Sequence, residues 1–99
     1  MKKQQVQPKQ LKVKLDENIG EGIYSNIAFT TFNNSEFIID FGRILPGLNQ
    51  GKIYSRIVMT PQHAKRLVAT LERSVKNFEE KFGELKFSEQ PERKEFGFK

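Results

Sequence analysis

One histidine, two adjacent carboxylate pairs and a glycine couplet are the residues of this chain that could do chemistry. His63 could serve as a base or a metal ligand. It follows Thr60-Pro61 at the head of an apolar-periodic run, where an imidazolium would oppose the positive end of a helix. No further ligands stand around it at metal-binding spacing. Asp16-Glu17 and Glu79-Glu80 could supply an acid and a base, but that work needs a cleft that sets two carboxyls apart in environment. One pair falls in a turn and the other on a helix surface. The stretch "IGEG" lacks the G-x-x-x-x-G-K order of a phosphate loop, and no serine has a nucleophile-elbow context. The chain has no cysteine, which removes disulfides, zinc–thiolate sites and thiol nucleophiles. The expectation is a non-enzyme with no catalytic residue, cofactor or metal.

Charge points elsewhere. The net charge is +5 over 99 residues. Residues 1 to 14 carry five lysines and no acid, and residues 52 to 99 carry eleven bases against seven acids. The middle of the chain is acidic. A basic pole can attract nucleic acid or acidic protein. The residues that would contact phosphates are Lys9, Lys12, Lys14, Lys65, Arg66, Arg73 and Lys76. The competing reading is a solubilising arm and a solvated helix face with i,i+4 pairs such as Glu72–Lys76. No apolar run approaches the ~20 residues of a membrane span. No apolar segment follows the charged start, so no signal peptide is expected and the compartment expected is the cytoplasm.

The elements that position these residues follow from periodicity. Residues 1–10 read as a disordered basic arm. "QLKVKLD" alternates Leu11, Val13 and Leu15 against lysines, the pattern of an edge strand. "DENIGEG" breaks it. "IYSNIAFTTF" reads as a strand over 23–32, "NNS" as a turn, "EFIIDFGRIL" as its hairpin partner, "PGLNQG" as a loop and "KIYSRIVM" as a further strand. Thr60 caps a helix, Pro61 fits its first position and Gly83 ends it. Its apolar residues are Ala64, Leu67, Val68, Leu71, Val75, Phe78 and Phe82, among which two rows of period seven appear: Ala64, Leu71, Phe78 and Val68, Val75, Phe82. A helix of about 22 residues is roughly 33 Å long, enough to cover a nine-residue strand from end to end. The single α+β domain therefore spans 11–83, and residues 84–99 read as a mostly flexible tail containing Phe87, Phe96 and Phe98.

The strands are apolar on both sides, so one helix cannot cover the sheet. Simple alternation puts Ile38, Asp40, Ile44, Tyr54, Arg56 and Val58 on the second face. A second copy of the chain is the expected cover, as a homodimer or higher even oligomer. Asp40 and Arg56 would form a cross-strand ion pair in or beside that interface. The competing cover is the tail, folded back through Phe87.

The stretches "EGIYSN", "NNSEFIIDFGRILPG" and "KIYSRIVMTPQHAKRL" resemble a family of short bacterial and archaeal proteins classed as a domain of unknown function. The resemblance covers about residues 15 to 82, leaving out the arm and the tail, and "LPG" followed by "TPQHAKRL" is its most specific part. It implies a prokaryotic cytoplasmic protein and brings no activity, cofactor or catalytic residue. The fold expected is α+β: an antiparallel sheet of three to four strands followed by one long C-terminal helix packed on one face, assembled as a homo-oligomer. The function expected is a non-catalytic binding or adaptor module for a macromolecule, a protein first and single-stranded nucleic acid as the alternative.

Overall fold

The computed structural model describes residues 11–87. The arm 1–10, and the tail from residue 88 onward with Phe96 and Phe98, lie outside the described residues. The elements are a one-turn helix α1 (Glu17–Gly20), strands β1 (Ile27–Phe32), β2 (Phe37–Ile44) and β3 (Gly51–Met59), and a long helix α2 (Pro61–Phe82). The sheet has three strands in the order β1-β2-β3. Both connections within it are far shorter than the dozen or more residues a parallel crossover needs, so the sheet is antiparallel. The chain divides into two compact units, the sheet with the segment before it and α2 with the turn Asn33–Phe37.

The fourth strand expected over Leu11–Leu15 is absent, because that segment has no regular structure and joins no ladder. Its apolar residues stand open, with Leu11 at 82% exposure. Alternation defines a strand face, but a strand also needs a neighbour to take its backbone hydrogen bonds. The first strand is shorter than expected at its start. Residues 23–26 precede β1 and are held by one backbone bond, Asn26 N donating to Gly42 O at 3.0 Å, and by side chains: Asn26 Nδ2 donates to Ile44 O at 3.1 Å while Asn26 Oδ1 accepts from Ile44 N at 2.9 Å. The carboxamide thus stands in for a peptide group and extends the ladder beside β2. Ser25 Oγ donates to Gly42 O at 3.0 Å.

The hairpin between β1 and β2 turns on Asn33. Its Oδ1 accepts from Ser35 N at 2.8 Å and Glu36 N at 2.9 Å, the side-chain turn that Asn favours.

An ion pair and a close approach join β2 to β3. Asp40 meets Arg56 across the strands. A Cβ built on Gly42 would stand 3.1 Å from Ile53 Cδ1 and 2.5 Å from the Lys52 carbonyl oxygen, so only glycine fits where β3 comes this close.

Helix α2 begins as its sequence dictates. Thr60 Oγ1 accepts from His63 N at 3.1 Å, and Pro61 opens the helix. Gly83, with φ of 107°, ends it by donating N–H to Glu79 O. Leu85 N then donates to Glu79 Oε2 at 2.9 Å.

Burial is scarce. Among the described residues Ala64 is the one buried apolar side chain, and Asp40 the one buried charge. Within its own unit the apolar stripe of α2 stands exposed: Val68 56%, Leu71 55%, Val75 44%, Phe78 43% and Phe82 69%. Phe87 is 100% exposed.

Gly42→Ala is expected to cost about 1–3 kcal/mol, because its methyl must displace backbone. The urea midpoint at fixed protein concentration checks this. Thr60→Ala is expected to cost about 1 kcal/mol through the lost cap, read as a lower melting temperature.

Candidate functional site

Asp40 is the organising residue of the sheet. It sits at the centre of β2 with its side chain 2% exposed. Arg56 Nε donates to its Oδ1 at 2.6 Å and Arg56 Nη2 donates to its Oδ2 at 2.9 Å, a two-pronged pair. The Arg56 side chain remains 61% exposed. The guanidinium is therefore a lid on the carboxylate, and its remaining N–H donors face outward. The hydrogen bonds from Arg56 hold the Asp40 carboxyl below its ordinary value of 3.8; burial opposes the shift and the Arg56 charge adds to it. The hydrogen bond to Asp40 raises Arg56 in turn. The cross-strand pair expected from sequence is present.

The other expected interface residues divide. Ile38 and Ile44 are half-buried, and Val58 is 51% exposed. Tyr54 is 44% exposed and lies against Arg43 and Lys52.

Tyr54 belongs to a cluster that sequence reasoning did not find. The Arg43 guanidinium carbon lies 5.8 Å from the Tyr24 ring centroid and 5.7 Å from that of Tyr54. Lys52 Nζ lies 5.2 Å from the Tyr54 ring. These are cation–π distances. Both rings are well exposed, Tyr24 at 66% and Tyr54 at 44%. The signal available was the lone Arg43 within the apolar strand "EFIIDFGRIL", a costly place for a cation without partners.

The residues expected to contact nucleic acid do not form one site. Lys9 lies outside the described residues. Lys12 and Lys14 are exposed in the segment before β1, where Lys14 Nζ is 3.8 Å from Asp16 Oδ1. Lys65, Arg66, Arg73 and Lys76 are exposed along α2. His63 contributes its backbone N–H to the Thr60 cap. Among the described residues no group of three or more His, Asp or Glu side chains is arranged to hold a metal ion. Among them, too, no helix is long and apolar enough to cross a membrane.

The Asp40 shift fixes a pH dependence. Its folded value lies below the unfolded one, so the stability it contributes is complete above the unfolded value and disappears as pH falls through the folded one. The wild-type urea midpoint is expected to fall more steeply than that of Asp40→Asn between about pH 5 and pH 2. Parallel slopes for the two proteins would remove the ion pair from this role.

Comparison with curated proteins and with solved structures gives no match. A family model matches residues 1–87, taking in the basic arm and Phe87 beyond the 15–82 span of the resemblance, and the chain belongs to that family, described as protein of unknown function (DUF3467).

Proposed function

We propose that this chain is a non-catalytic, homodimeric or higher even-oligomeric binding module, an adaptor whose partner is a protein. The observation that carries the reading is the near absence of buried apolar side chains within one chain, where Ala64 stands alone among the described residues. Exposed apolar area on this scale marks surfaces made to be covered by another chain. Ile38, Ile44 and Val58, with the Asp40–Arg56 pair among them, form the sheet-face contact between copies. The ion pair there sets register and orientation more than affinity.

The cluster of Tyr24, Arg43, Lys52 and Tyr54 favours a second reading, binding of single-stranded nucleic acid. Exposed rings flanked by cations are what base stacking and phosphate contact require. Lys9, Lys12, Lys14 and the α2 cations would then add sequence-independent attraction.

Capture from native lysate, with and without nuclease, separates the two. The adaptor reading expects a protein that stays bound after nuclease and is only weakly sensitive to salt. The nucleic-acid reading expects capture to vanish with nuclease, affinity to fall steeply with salt, and deletion of residues 1–14 to weaken it further.

A further inference from the structure

We propose that α2 pairs antiparallel with α2 of a second copy. This rests on the self-association above and names a further contact for it, separate from the sheet face.

The stripe on α2 is narrow and regular. Ala64, Val68, Leu71, Val75, Phe78 and Phe82 are spaced by four, three, four, three and four residues. That is the a/d pattern of a coiled-coil seam, where a helix laid on a globular core carries a broader apolar face. The positions flanking the seam are Lys65, Glu72 and Glu79 on one edge, and Leu67, Ser74 and Lys81 on the other. Val68, Leu71 and Val75 line one open groove with Glu72, Lys76 and Glu79 along its side. Apart from Ala64, every seam residue is more than 40% exposed.

Size and charge choose the occupant and its direction. With two copies antiparallel and centred on residue 73, Ala64 packs against the partner's Phe82, Val68 against the partner's Phe78, and Leu71 against the partner's Val75. Small meets large in the outer layers, which is how helix layers fill space without voids. A parallel, in-register pair would set Phe78 on the partner's Phe78 and Phe82 on the partner's Phe82, while Ala64 faced only the partner's Ala64. It would be crowded at one end and slack at the other. The same antiparallel register brings Lys65 beside the partner's Glu79, twice by symmetry. Within one helix these two residues lie about 21 Å apart, well beyond the ~8–10 Å reach of screened charges. Lys65 and Glu79 are too far apart to pair within one chain and complement each other between chains. Glu79 already accepts from Leu85 N through Oε2, and a carboxylate keeps further lone pairs for a lysine. Glu72 approaches its own copy near the axis, with Lys76 one turn along to offset it.

Sedimentation equilibrium of the full chain and of Lys65→Glu, Glu79→Lys and a mixture of the two variants tests the pairing. Lys65→Glu places an acid in the first turns of α2, which the helix dipole favours, so a lower mass would not report a lost helix. Each variant alone sets like charges against each other at both sites and is expected to weaken this contact about tenfold. In the mixture the hybrid pair sets opposite charges at both sites, and the mass is expected to recover. Glu79→Lys also removes the acceptor of Leu85 N, so recovery in the mixture is the deciding reading. A wild-type oligomer with no recovery in the mixture overturns the helix pairing and leaves the sheet-face contact standing. A monomeric wild type at micromolar concentration overturns both.

Discussion

An apolar side chain contributes to stability only when it meets a second surface, and three strands with one helix offer few surfaces to meet. Fully burying a residue such as Val, Leu or Phe contributes about 1.5–3 kcal/mol. The whole net stability of a domain is about 5–15 kcal/mol. Five stripe residues of α2 that are each more than 40% exposed therefore amount to a share as large as that margin. The sheet adds Tyr54, Ile57 and Val58, all more than 40% exposed. A chain of 99 residues has little other core to compensate. What closes these surfaces decides whether the chain is stable at all, and association with copies of itself is the least demanding answer.

Inside the sheet, β2 sets the geometry. Asp40 is an anion with almost no exposure, tolerable because two N–H donors of Arg56 meet both its oxygens. Shifting β3 by one residue would strand that charge, since Arg56 would turn to the other face. Two positions along, Gly42 leaves space that the Lys52 carbonyl fills. Pair and glycine together hold β3 against β2. On the same two strands Tyr54 meets Arg43 and Lys52.

Local signals were legible in the sequence and non-local ones were not. Thr60, Pro61 and Gly83 marked the ends of α2 to the residue because caps act within a single turn. β2 and β3 were readable for the same reason, as apolar runs bounded by Asn33, Pro46 and Gly47. The segment around Val13 has an equally good strand pattern and forms none, since pairing depends on a neighbour that its own sequence does not specify. The Asp40–Arg56 pair was readable because both residues are charges in otherwise apolar strands. The place of Tyr54 was not, because its contacts with Arg43 and Lys52 depend on how the strands pair. Nor was the role of Asn26, whose side chain substitutes for a peptide group in the ladder.

The proposed self-association would also decide what a partner can read. If neighbouring copies cover the helix seam and the sheet face, the surfaces left are polar and charged. On α2 these are Arg66 and Arg73, which face away from the seam, and Lys76 at its side. On the sheet they are Arg43 and Lys52, held against Tyr24 and Tyr54. A cation resting on an aromatic ring is partly desolvated and fixed in direction, so it meets an incoming anion with less entropy left to lose than a free lysine does. The arrangement suits an anionic partner with flat groups that can stack or slot between the rings, and both an acidic, aromatic-rich peptide and a nucleic-acid strand have that character.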